Sequence, residues 1–294
     1  MTDHRLPPKL LANGPYARAD APFSLLEVRG PDARAFLQRL CTQDVAGLQA
    51  GQLAPVAFLD AKGKLLWTAL AWCQGDAVRL ETPSEQVDGL LALLERYHFT
   101  EKLELARLDR GACHELVAAS DEAMAEVVDD DGGLQLRYTR RGVLFERRYG
   151  GAAPTGCAAL PADLAEAARM AAGVVRVGVD TEASTLALEA GLDDHCSTRK
   201  GCYTGQEIVA RIHTYGHVNR KLCLLQLEGG GAIEAPVTLL ELEDELPVGR
   251  VMHAVAPPGH DLRVGLGYLP EDFQAVGTEL GLQGGGRVTV VGFA

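Results

Sequence analysis

No apolar run in this 294-residue sequence approaches the roughly 20 residues that a membrane-spanning helix needs. The opening stretch, MTDHRLPPKLLANGPYARAD, carries cations without the continuous apolar segment of a secretory signal, so residues 1–22 are expected to be a flexible lead-in. A positive charge balance is also missing. Lys and Arg number 28 against 40 Asp and Glu, a net charge of −12, which excludes broad nonspecific attraction to nucleic-acid phosphates and leaves room only for a local basic patch. Nor is there a disulfide framework. Cys41, Cys73, Cys113, Cys157, Cys196, Cys202 and Cys223 are odd in number and scattered, several of them in apolar stretches, which fits a reducing compartment. A cytoplasmic protein is expected, with neither a membrane nor a nucleic acid as direct partner.

Phosphate and metal motifs are absent too. Gly229–Gly231 and Gly284–Gly286 lack the strand-to-helix context of a dinucleotide fingerprint and read as loop tips, and no Walker pattern occurs. Asp129-Asp130-Asp131-Gly132-Gly133 has neither the alternating ligands nor the distal Glu of a calcium loop and reads as a solvated turn. His195, Cys196, Cys202, His213 and His217 lie close in sequence. Structural zinc wants cysteines two to four residues apart, whereas five separate Cys196 from Cys202, and an iron-sulfur cluster asks for more thiolates. No metal is expected.

What is present is an ordinary globular composition, 47% hydrophobic. In GPDARAFLQRL, Pro31 suits a first helical turn and Ala33, Phe36, Leu37 and Leu40 make one buried face. LAPVAFLDAKGKLLWTALAWC reads as strand, turn, strand around Gly63, and VRLET continues the sheet. Ser84 then caps a helix with the stripe Val87, Leu90, Leu91 and Leu94. LELARL, HELVAAS, LQLRYT and VLFERRY are strands, and PADLAEAARMAAG is a helix entered by Pro161 and ended near Gly173. This mixture predicts an α+β fold. From about Lys221 only short strands between Gly and Pro clusters remain, a small all-β, barrel-like domain over 221–294.

The stretch STRKGCYTGQEIVARIHTYG, Ser197 to Gly216, sets Cys202 after Arg199, Lys200 and Gly201. Nearby cations favour a thiolate, and Gly201 and Gly205 permit a sharp turn or a close backbone approach. Spacing alone leaves two readings open, a shaped site around a thiolate and a tight turn with an incidental thiol.

KGCYTGQE, Lys200 to Glu207, resembles the hallmark of the YgfZ-type folate-binding proteins, relatives of the aminomethyltransferase (T-protein) of glycine cleavage. GPDARAFLQRLCTQDV, DAKGK, ERYHFTEKLELA, RMAAGVVRVGVD and LEAGLDD resemble family segments in the same order, from about Phe23 to Arg220. The resemblance implies two mixed modules over 23–220, divided near 108–115, around a central channel for tetrahydrofolate or a derivative, with the barrel-like domain behind them. It implies that Cys202 is the functional thiol, with Lys200, Tyr203 and Gln206 around it. Glu189 would meet the pterin ring, with a plain surface glutamate as the alternative, and Phe23 would line the folate cavity. Ala165 stands where some relatives carry a second cavity aromatic. The implied role is an accessory factor for assembly or repair of iron-sulfur client proteins, acting indirectly on tRNA modification. The alternative is a folate-dependent aminomethyl or one-carbon transferase.

Overall fold

The computed structural model describes residues 6–130, 133–216, 218–228 and 233–294. Two antiparallel-dominated sheets pack face to face and a closed barrel docks beside them. The first sheet has five strands in the spatial order Ala54–Leu59, Leu65–Gln74, Ala77–Pro83, Phe23–Arg29 and Glu104–Leu108. Along its strands the period of two sends alternate side chains to opposite faces. Val56, Phe58, Ala71 and Cys73 meet Phe36, Leu37, Leu90 and Leu94 of the helices Ala33–Leu40 and Val87–Tyr97. Ala57, Leu59 and Trp72 point the other way, into a core shared with the second sheet.

That second sheet runs in the order Ala158–Ala159, Tyr16–Arg18, Cys113–Ala119, Val143–Tyr149, Gly133–Arg140 and Ala125–Asp130. Tyr16–Arg18 pairs with Cys113–Ala119, so the N-terminal segment is sheet and not lead-in. Before it, the helix Leu6–Leu10 buries Leu6, Leu10 and Leu11, at 4%, 0% and 3% exposure, and packs on the helix Ala162–Ala171. The flexible segment expected over 1–22 is therefore corrected from Leu6 onward: Leu6, Leu10 and Leu11 join one apolar cluster.

Ala33–Leu40 buries Ala33, Phe36, Leu37 and Leu40 as its spacing requires, although Asp32 takes the cap position and Pro31 stays outside. Ser84 begins a 3-10 turn and does not cap the following helix; its hydroxyl instead bonds that of Ser24. The Asp129–Gly133 stretch is corrected as well. Asp129 and Asp130 end a strand, and the Asp129 carboxylate is buried, accepting from Trp72 Nε1 at 3.1 Å and from Arg79 and Arg110. Asp131, Gly132 and Gly229–Gly231 lie outside the described residues.

The barrel comprises Arg220–Glu228, Arg263–Pro270, Pro247–Val255, Val237–Leu240, Glu279–Leu282 and Arg287–Phe293, the last closing on the first. Cys223, Leu225, Leu227, Val251, Val288 and Val290 fill its interior. Leu222, Leu224, Leu266 and Tyr268 face outward and join the shared core. The barrel is closed because its end strands pair, leaving no exposed edge. No helix among the described residues is long and apolar enough to cross a membrane.

Candidate functional site

Between the facing sheets lies a cavity of about 350 Å3. Phe23, Pro55, Leu70 and Glu81 of the first sheet line it, opposite Glu115, Tyr138, Phe145 and Arg147 of the second. Arg147 dominates the polar end. It is 4% exposed, and its guanidinium lies 3.5 Å over the centre of the Phe23 ring, donates to Tyr138 Oη at 3.1 Å and Glu115 Oε1 at 3.3 Å, and pairs closely with Glu81. Burial works against its charge, but Glu81, Tyr138 and Glu115 outweigh that and hold its pKa well above the ordinary arginine value. Tyr149 donates to Glu81 at 2.6 Å, and Arg18 pairs with Glu115 at 2.6 Å. A planar cation on an aromatic face, flanked by two carboxylates, suits a flat heterocycle that carries both donors and acceptors.

Another wall is formed by Arg140, Asp194 and His195. His195 Nδ1 is 2.8 Å from Asp194 Oδ1, and Arg140 pairs with the other carboxylate oxygen. Burial opposes the Asp194 charge, yet the His195 hydrogen bond and Arg140 more than offset it, so its carboxyl sits well below the ordinary carboxylate range. Burial pushes His195 below the usual imidazole pKa, and Asp194 opposes this only in part.

The chain runs on from His195 into the thiol loop. Cys202 is exposed, while Tyr203 is buried and Gln206 accepts from the Tyr203 N–H at 3.2 Å. The loop is pinned at three points to the segment 39–43. Ser197 N–H donates to Thr42 O, Thr204 N–H donates to Arg39 O, and the Lys200 ammonium donates to Cys41 O and Gln43 O at 2.7 Å each. Lys200 is only 9% exposed, and burial lowers its pKa. Its charge is thus committed to the end of the helix Ala33–Leu40, where it anchors the loop, and the expectation that Lys200 tunes the Cys202 thiol is corrected accordingly. Gly205 has φ +79°, and a Cβ there would stand 2.7 Å from the Asp60 carbonyl oxygen of the hairpin. The helix Gln206–Tyr215 follows.

Of the six residues singled out in sequence, Phe23 alone lines the cavity. Lys200, Cys202, Tyr203 and Gln206 cluster in the adjoining loop. Glu189 lies elsewhere: it is buried, accepts from Leu186 N–H, and pairs with Arg220 at 3.4 Å at the foot of the barrel. Ala165 does line the cavity. Cys196 is buried, and burial pushes its thiol up to about 12. Among the described residues no three His, Cys, Asp or Glu side chains converge on a metal position, and His217 lies outside them.

No protein-family profile matches the chain. It is 28% identical to the tRNA-modifying protein YgfZ of Klebsiella pneumoniae, over 75% of this chain and 73% of that one. It is 27% identical to a mitochondrial iron-sulfur cluster assembly factor of Phaeosphaeria nodorum, over 82% of this chain and 61% of that one. A chloroplastic protein of Arabidopsis thaliana, whose name proposes a transferase, is 24% identical over 87% of this chain and 65% of its own length. The chain is similar to proteins of the YgfZ type. It spans slightly under two thirds of the chloroplastic and mitochondrial relatives' own length. Its fold is that of aminomethyltransferase T of the Bartonella henselae glycine cleavage system, with a TM-score of 0.74 and 19% identity, covering 94% of this chain and 85% of the other.

Sequence reading missed Glu81, Glu115, Arg147, Asp194 and Arg140 as cavity groups. The signal was there in part. Arg79 and Glu81 alternate with Val78 and Leu80 in VRLET, which marks a polar strand face, and only the second sheet shows that this face is covered.

Proposed function

We propose that the chain is a tetrahydrofolate-binding accessory factor that supports assembly or repair of iron-sulfur proteins in the cytoplasm, and through them tRNA modification, with Cys202 as its working thiol. The observation that carries this reading is the cavity: at about 350 Å3 it is large enough for a pterin, its walls are largely apolar, and Phe23, Arg147 and Glu81 converge at one end. A ligand there touches Asp194 and His195, the near end of the segment whose far end presents Cys202. The names of the Klebsiella and Phaeosphaeria relatives supply the tRNA and iron-sulfur context. The folate contacts fall to Phe23 and the Arg147 group, and Lys200, Tyr203 and Gln206 hold the thiol loop. Glu189 keeps its place at the barrel and makes no pterin contact in this reading.

Tetrahydrofolate under reducing conditions should raise the melting temperature by linkage, and an unchanged melting temperature at saturation would refute the folate reading. In cells lacking the protein, Cys202→Ser should fail to restore iron-sulfur enzyme activity. Release of ammonia and methylene-tetrahydrofolate from an aminomethyl donor would instead make the protein a one-carbon transferase.

A further inference from the structure

The cavity is lined by five carboxylates, and each one is engaged by an arginine: Glu81 by Arg147, Glu85 by Arg176, Glu115 by Arg18 and Arg147, Glu166 by Arg169, and Asp194 by Arg140. Their lone pairs are largely spent within the protein. His195 differs. It is the one histidine among the described lining residues, and Asp194 takes its Nδ1 at 2.8 Å. A carboxylate bound by arginine can only accept, so Nδ1 carries the hydrogen and the neutral ring keeps its lone pair on Nε2. No described protein group bonds Nε2, and that atom is not among the fully buried unsatisfied ones. The backbone holds the ring in place. Thr42 Oγ1 donates to the His195 carbonyl, and Thr42 is itself fixed by the Ala57 N–H at 3.0 Å.

We propose that His195 Nε2, oriented by Asp194, is the hydrogen-bond acceptor that selects a reduced, N–H-bearing heterocycle over its oxidised counterpart in this cavity. The proposal rests on the folate reading above and sharpens it to one atom. A tetrahydropterin carries N–H donors at ring positions where the oxidised pterin carries only lone pairs. An acceptor facing such a position bonds the first and repels the second. Sites that hydrogen-bond a ligand group reject the analogue lacking it, because the buried partner is left unpaired.

The electrostatics agree. The charged groups that act on His195 are Asp194 on its own turn and Arg140 at the end of the strand Gly133–Arg140; Asp193, Cys196 and Arg141 adjoin them along the chain. The packed strand Ala54–Leu59 brings no titratable group. Burial keeps the ring neutral near pH 7. Protonation turns Nε2 into a donor, so the preference must vanish or invert as pH falls through the His195 pKa, below the ordinary 6.5.

The test is competition between tetrahydrofolate and folic acid, read by calorimetry under reducing conditions for the wild type and for His195→Gln, across a pH series descending from 7.5. Glutamine can both donate and accept. The wild type should favour tetrahydrofolate by at least about tenfold at pH 7.5, and that preference should shrink as pH falls through the His195 pKa. In the variant the ratio should fall to within about threefold and stay flat with pH. A variant with the wild-type ratio and pH profile would overturn the assignment while leaving the folate reading intact. No binding of either folate to the wild type would sink the folate reading and this assignment with it. Imidazole 15N shifts of the ligand-free wild type give a check that does not depend on the variant folding: the Nδ1–H tautomer supports the proposal and the Nε2–H tautomer refutes it. Asp194→Asn should shift the tautomer balance, a change that a purely structural role for Asp194 would not produce.

Discussion

The cavity and the thiol loop adjoin along one segment, yet they are built on opposite plans. The cavity gathers side chains from both sheets together with Asp194 and His195, and its central charges, Arg147, Glu81 and Glu115, are locked together between two covered faces. The loop is nearly contiguous in sequence, exposes its reactive atom, and is held mainly by backbone groups. The difference separates two jobs: the cavity is shaped to hold a molecule in one pose, and the loop to offer a sulfur to something outside.

The largest blow to the cavity side should come from Arg147→Met. It leaves Glu81 and Glu115 buried without their shared cation, which costs about 3–5 kcal/mol. Urea unfolding would show it, and adding Glu81→Gln should recover part of the loss.

On the loop side, Gly205→Ala meets both a left-handed backbone, φ +79°, and the Asp60 carbonyl. It should cost about 1–3 kcal/mol, the range for such strain. A loss below about 0.5 kcal/mol would mean the loop shifts freely.

A pH series divides the cavity further. The folded His195 pKa lies below its unfolded value, so between about 6.5 and that lower value the unfolded chain binds more protons and stability falls as pH falls. Asp180 and Glu166 work lower down. Burial raises both carboxyls, but Arg169 outweighs it and their folded pKa values are depressed. Their contribution is complete above the unfolded values near 4 and is lost as pH drops through the folded ones. His195→Gln should erase the upper limb of the stability curve and spare the lower one.

Brief alkylation at pH 7 should label Cys202 at least about tenfold faster than Cys113, Cys196 and Cys223, whose thiols burial pushes up to about 12. Native protein in which Cys202 resists labelling would remove the contrast between the two regions. The smallest effect belongs to Cys202→Ser, an exposed change that should alter stability by less than about 0.5 kcal/mol.

The elements and the thiol loop were legible because their signals are local. Ala33, Phe36, Leu37 and Leu40 announce a helix face, Gly63 a hairpin, and the glycines of KGCYTGQE a tight loop. The cavity was not, because alternation in a strand reports two faces without reporting what covers them. VRLET shows Arg79 and Glu81 on one strand face, and their partners Asp129 and Arg147 come from a sheet some fifty to seventy residues away. Lys200 misled for the same reason: proximity in sequence put its charge beside Cys202, while the chain carries that charge to the end of a distant helix.

The contact between Gly205 and the hairpin is reciprocal. A Cβ on Gly63 would stand 2.6 Å from Ile208 Cβ, just as one on Gly205 would strike Asp60. Neither segment keeps its shape without the other. A synthetic peptide covering 197–216 would therefore carry the thiol without its presentation, and transplanting the octapeptide into another scaffold would fail unless the hairpin travelled with it. For an engineer the portable unit is a pair of segments well over a hundred residues apart in sequence, which must be moved together, glycine against glycine.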